Sequence, residues 1–129
     1  MFFYTSDFEK SLKKLQEKKK YGYFKCKGDI KYVLGDLSFE QIWEMRDNIF
    51  DDPPYRIIKA RIPNSSKNLD KREGFRLIMI LNKNNKTVTF LYIYPRKGKF
   101  FRSNITKKDL HKLLITFAEE FNPYLSKSV

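Results

Sequence analysis

The 129-residue chain has one cysteine, Cys26, and one histidine, His111. A lone thiol excludes an intramolecular disulfide and fits a reducing compartment. With no histidine near it in sequence, Cys26 reads as a packed thiol rather than a nucleophile. There is no C-x-x-C pair and no H-E-x-x-H, so no zinc site is expected, and no other metal or cofactor. Long apolar runs are missing as well: the longest, Val88–Tyr94, falls far short of the ~20 residues that span a bilayer. The N-terminal Met1–Asp7 reaches an acid at its seventh residue and has no signal-peptide apolar core. These absences predict a single soluble cytoplasmic domain covering residues 1–129, with no membrane partner.

Acid is scarce relative to base. Lys+Arg number 27 against 15 Asp+Glu, for a net charge of +12, in a chain whose 41% hydrophobic content is that of a globular protein. The excess points to an anionic partner. It is also local: residues 55–108 carry fifteen basic and two acidic side chains, so this segment alone holds +13. Residues 1–36 (+4), 37–54 (−4) and 109–129 (−1) nearly cancel.

Capping patterns predict three main helices. Ser6 with Glu9 opens the first, whose Phe8, Leu12 and Leu15 share a face, and whose lysines (Lys13, Lys14, Lys18–Lys20) form a solvated face. Ser38 with Gln41 opens a second, with Phe39, Ile42, Trp43, Ile49 and Phe50 on its apolar side and Asp51-Asp52-Pro53-Pro54 as its stop. Thr106 with Asp109 opens the third, striped by Leu110, Leu113, Leu114, Phe117 and Phe121 and stopped at Asn122-Pro123. Arg56–Ile62, Phe75–Leu81 and Thr87–Tyr94 read as strands, the last two joined in a hairpin by Asn82–Lys86. Phe2–Thr5 is a possible edge strand, Gly28–Leu34 a short helix and residues 63–74 a polar loop. The order predicts an α+β fold, a small twisted antiparallel sheet with the helices packed on one face.

That arrangement gives the basic segment a place. Lys59 and Arg61, two apart, share one face of the first central strand. Arg76 lies on the next strand, and Arg96, Lys97, Lys99 and Arg102 follow the third, with Phe100 and Phe101 among them. Neighbouring strands would gather these cations on the face left free of helices, where guanidinium and ammonium groups hold phosphates and an aromatic ring stacks on a base. Plainer readings stand beside each residue. Alternating Lys and Arg also describe a solvated sheet face, and Arg76 also suits an ion pair with Glu73 or Asp70. Phe100 and Phe101 also suit anchors for the loop. Of the alternating pairs Leu91/Ile93 and Tyr92/Tyr94, periodicity does not say which faces the core.

The string Lys59-Ala60-Arg61, the Asn64-Ser65-Ser66-Lys67 loop and Lys71 leading to Gly74-Phe75-Arg76, followed by Leu91-Tyr92-Ile93-Tyr94 and a basic turn before Asn104-Ile105-Thr106, resembles the RelE/ParE superfamily. These are toxins of bacterial type II toxin–antitoxin systems, and the HigB-like branch is the most similar. Ser6–Leu15 also resembles the family's first helix. The resemblance implies a compact α+β toxin, held in check by a cognate antitoxin, that cleaves mRNA on the ribosome without a metal. Attack by the ribose 2′-hydroxyl then leaves a 2′,3′-cyclic phosphate and a 5′-hydroxyl. It further implies catalytic roles for Lys59, Arg61, Arg76 and Lys97, with Lys59 the candidate base, and RNA contacts from Lys71, Arg96, Lys99, Phe100 and Arg102. Arginine suits this chemistry because its fork of donors strengthens as phosphate charge develops.

Two departures from the family pattern bear on catalysis. Glu73 stands where the family has a glycine, and Phe100 and Phe101 stand where active members carry a tyrosine or histidine that transfers protons. The titratable candidates left are Tyr92, Tyr94 and His111. The alternative is therefore a non-enzymatic basic module: a decayed toxin, a ParE-like gyrase inhibitor or a general RNA-binding protein.

Overall fold

The computed structural model describes residues 1–17 and 19–121. It is an α+β fold with a five-stranded, mostly antiparallel sheet: β1 (Phe2–Tyr4), β2 (Asn48–Asp52), β3 (Tyr55–Ile62), β4 (Phe75–Asn82) and β5 (Thr87–Pro95), in the order β1-β5-β4-β3-β2. The edge strand β1 pairs parallel to β5 and the other pairings are antiparallel. Among the described residues four α-helices accompany the sheet: α1 (Ser6–Glu17), α2 (Cys26–Leu34), α3 (Phe39–Trp43) and α4 (Lys107–Phe121).

Strand alternation divides the burial. Ile58, Ala60 and Ile62 of β3, Phe75, Leu77, Met79 and Leu81 of β4, and Val88, Phe90 and Ile93 of β5 line a first face. Phe8 and Leu15 of α1, Cys26, Ile30 and Leu34 of α2, and Phe39, Ile42 and Trp43 of α3 pack against it. At roughly 1.5–3 kcal/mol per large buried side chain, this layer supplies most of the hydrophobic stabilisation. The second face holds a smaller cluster of Ile57, Ile78, Ile80, Leu91 and Tyr94, against which α4 packs Leu110, Leu113, Leu114 and Phe117. The expectation that all helices share one face is thus corrected. An apolar stripe such as that of α4 requires a partner surface but does not specify which side of the sheet provides it.

The second predicted helix also needs correction. The Ser38 capping box forms, with Ser38 Oγ accepting from Gln41 N–H and Gln41 Oε1 from Ser38 N–H, but the helix ends at Trp43. Ile49 and Phe50 lie in β2 and are exposed, and Pro53-Pro54 belongs to the tight turn into β3 rather than to a helix stop. Their seven-residue spacing from Ile42 and Trp43 matches two helical turns, but pairing with the open edge of β3 prevails. Arg56 ties the two pieces together: it donates to the Trp43 carbonyl and to Asp51, and its guanidinium lies 4.3 Å from the Trp43 ring centroid.

At the first helix, Thr5 rather than Ser6 is the cap, accepting from Phe8 N–H at 3.1 Å. Ser6 instead donates through N–H and Oγ–H to Glu120 of α4. Thr106 caps α4 as expected, accepting from Asp109 N–H. The predicted stop at Asn122-Pro123 lies outside the described residues. No helix among the described residues is long and apolar enough to cross a membrane.

Cys26 is fully buried, and burial pushes its thiol up to about 12, which makes it a poor nucleophile as its packing suggests. A disulfide reagent at pH 8 is expected to leave the native protein unmodified and to label one thiol after denaturation. Rapid stoichiometric labelling of the native protein would contradict this packing.

Candidate functional site

Register places the site. On the second face Arg61, Arg76 and Tyr94 stand directly opposite one another across β3, β4 and β5, and Lys59, Ile78 and Tyr92 form the adjacent row. A bulge makes the tyrosines fall this way. Ile78 pairs with Tyr92 and Met79 with Phe90, so Leu91 is an extra residue on β5. Leu91, Tyr92 and Tyr94 therefore all join the second-face cluster, while Ile93 goes to the first. Leu91 and Ile93 are both buried, but in the cores of opposite faces, because the bulge breaks the alternation.

Arg76 forms the floor of this row. It is 4% exposed and is not ion-paired with Glu73, Asp70 or any other carboxylate among the described residues. Its guanidinium donates to the carbonyls of Lys71, Arg72 and Phe75 at 2.8–3.1 Å, which fastens the end of the preceding loop. Burial, reinforced by Arg96 and Arg61, lowers its pKa from the usual arginine value. Arg76 thus adds charge from beneath the surface and organises the loop. Gly74, two residues earlier, is also buried, and a side chain there would run into the Ile62 carbonyl.

Tyr94 is 2% exposed and its hydroxyl has no hydrogen-bond partner among the described residues, as is also true of Arg96 Nε. Burial raises the phenol above its ordinary value near 10, and Arg76, Arg96 and Arg102 pull it part of the way back. A protonated phenol therefore lies among three guanidiniums at neutral pH.

The rim carries the accessible cations. Lys59, half-buried, donates to Asn104 Oδ1 at 3.2 Å, and Arg61 pairs through Nε with Asp47 at 3.0 Å. Arg96 is half-buried, and its N–H donates to the Gly74 carbonyl. Arg102 pairs with Asp109 at 2.6 Å and lies 5.8 and 5.9 Å from the ring centroids of Tyr92 and Tyr94. The Arg102 guanidinium holds the Asp109 carboxyl below the usual carboxylate range, with Thr106 assisting.

Several predicted residues lie elsewhere. Lys97 and Lys99 are exposed on the basic turn, where Lys97 meets Glu73 at 3.9 Å. Lys71 is exposed, and its carbonyl serves Arg76. Phe100 is a loop anchor: its ring packs against Tyr21 and Tyr23, with the Lys14 ammonium 4.5 Å from its centroid. Phe101 is exposed. His111 lies exposed on α4.

Sequence reasoning missed two contributors. Tyr23, fully buried, donates its hydroxyl to the Lys97 carbonyl at 2.7 Å and accepts from Phe100 N–H at 3.2 Å, pinning the basic turn. Asp47 has φ 64°, a left-handed conformation that aspartate tolerates, from which its carbonyl accepts from Lys59 N–H and its carboxylate reaches Arg61. An isolated acid just before a strand carries no signal of this role. Among the described residues, no group of three or more His, Cys, Asp and Glu side chains is placed to hold a metal ion.

The arrangement suits an oxyanion held between Lys59, Arg61 and Arg96, over a positively charged floor. Asp47 competes for Arg61, so Asp47→Asn, which keeps the left-handed conformation accessible, is expected to tighten binding of inorganic pyrophosphate by about threefold, the scale of one partly exposed ion pair. Calorimetric titration checks this; an unchanged or weakened affinity would separate Arg61 from the site. Comparisons of the chain with protein-family models, curated proteins and solved structures find no match.

Proposed function

We propose that the Arg61–Arg76–Tyr94 end of the sheet holds a phosphodiester of single-stranded RNA, and that the chain is a ribosome-dependent mRNA endonuclease of the RelE/ParE toxin type. The carrying observation is Arg76, a buried cation with no carboxylate partner among the described residues, beneath the accessible Lys59, Arg61 and Arg96 and beside the unpartnered Tyr94 hydroxyl. A site with that balance of charge is completed by an anion.

In the proposed reaction, the ribose 2′-oxygen attacks the adjacent phosphorus and the bond from phosphorus to the 5′-oxygen breaks. The 2′-proton passes to a base, and the departing 5′-oxygen takes up a proton. Lys59 is the assigned base. Tyr94, protonated at neutral pH, is the assigned acid and replaces the proton-transferring residue that the basic turn lacks. Arg61 and Arg96 stabilise the charge that builds on the non-bridging oxygens. Such a toxin works in the cytoplasm and needs a neutralising partner. An acidic antitoxin segment fits the +13 region, and the open edge of β2, with Ile49 and Phe50 exposed, offers strand pairing as a second route.

One observation favours a second reading, a basic module that binds without cutting: the Tyr94 hydroxyl is buried as well as unpartnered. A translating-ribosome assay separates the two. Wild type is expected to arrest growth and to yield fragments ending in a cyclic phosphate. The Lys59→Ala/Arg61→Ala/Arg96→Ala variant, which leaves the structural Arg76 in place, is expected to do neither. Tyr94→Phe should retain RNA binding while cutting about 10²–10⁴-fold more slowly. Persistent arrest in the triple variant would remove the assigned site. RNA binding without cleavage establishes the binding module, and inhibition of supercoiling without RNA cuts establishes the gyrase-directed alternative.

A further inference from the structure

The geometry points to a second anion subsite in the cleft between α1 and α4, holding the phosphate next along the strand from the one on the sheet face. It rests on the RNA-binding reading above and extends it to a path across the molecule.

The cleft follows from the way the edge of β5 is covered. β1 pairs with β5 only as far as Tyr4 opposite Phe90. Beyond that point α1 takes over, and Ser11 Oγ accepts from Ile93 N–H at 3.2 Å. α4 lies against the other face of the sheet, joined to α1 at one end by Ser6 and Glu120. Between the helices remains a cavity of about 370 Å³, within the roughly 300–1,000 Å³ of ligand sites.

Six of its ten lining residues are charged. Lys10 and Lys14, one turn apart on α1, and Lys112 on α4 all border it, and none is ion-paired among the described residues. Arg102 is the fourth cation. Of the two carboxylates in the lining, Asp109 is engaged by Arg102, leaving Asp7 against three lysines. The cleft is also continuous with the sheet site. Tyr92 forms part of its wall, and its ring centroid is 6.1 Å from that of Tyr94. The Arg102 guanidinium lies near both rings, between the two sites. A strand whose phosphate rests above Arg76 can pass Arg102 and Tyr92 and place its next phosphate among Lys10, Lys14 and Lys112, with a base against the Tyr92 ring.

Fluorescence anisotropy with a single-stranded hexaribonucleotide and a diribonucleotide tests this in the full chain. Lys10→Gln/Lys112→Gln removes two exposed cations and spares Lys14, which also lies over Phe100. For the hexanucleotide, the log–log salt slope is expected to fall by about 0.7, the contribution of one phosphate contact on a single strand. Affinity for the dinucleotide should not change. Lys13→Gln/Lys83→Gln, equal in charge but outside the cleft, should leave the slope unaltered. An unchanged slope in the cleft variant, or an equal fall in the control, overturns the subsite and leaves the sheet site standing. No RNA binding by wild type overturns the sheet-face reading and the subsite with it.

Discussion

The structure turns on one buried charge. Arg76 sits in the central strand of the sheet, almost sealed from water, where a bare guanidinium would cost several kcal/mol. Three backbone carbonyls from residues 71, 72 and 75 accept its donors, and hydrogen bonds to a charged group contribute about 1.5–3 kcal/mol each, enough to offset that cost. The loop before β4 is thereby drawn onto the end of the strand. The charge itself is not cancelled, because the partners are dipoles rather than carboxylates. Across the adjacent strands, Arg61 pairs with Asp47, and Tyr94 has a buried hydroxyl with no partner among the described residues.

The two faces of the sheet divide the work. The first, closed by α1, α2 and α3, supplies the core and makes few demands on charge. The second is covered only in part, by α4, and its uncovered end presents the cation row. Tyr23 links them, since its ring is buried in the first-face core while its hydroxyl holds the turn that brings Arg96 and Arg102 to the second. The Arg61–Arg76–Tyr94 row is therefore built on strands, with loops contributing the rim.

How much of this was legible in the sequence depended on how local the signal was. The alternation that sets Lys59 and Arg61 on one face, the Ser38 and Thr106 caps and the central strands were readable because each rests on neighbours within a few residues. The end of the second helix was not, because Ile49 and Phe50 keep helical spacing from Ile42 while the open edge of β3, a tertiary feature, claims them. The orientation of Tyr92 and Tyr94 depends on a one-residue bulge at Leu91 that no pattern of period two reveals. Tyr23 and Asp47 act across 74 and 14 residues of sequence, so their roles exist only once the chain is folded. For Arg76, sequence placed the cation correctly but not its partners, which are carbonyls rather than Glu73 or Asp70.

The central claim is that the Arg61–Arg76–Tyr94 end of the second face receives an RNA phosphate. Chemical-shift mapping during titration with a single-stranded tetraribonucleotide tests it most directly. Saturable shifts concentrated at Lys59, Arg61, Arg76, Tyr94 and Arg96, reduced as salt is raised, are the expected result. Shifts confined to the exposed lysines of the basic turn, with the β3–β4–β5 row unmoved, would contradict it.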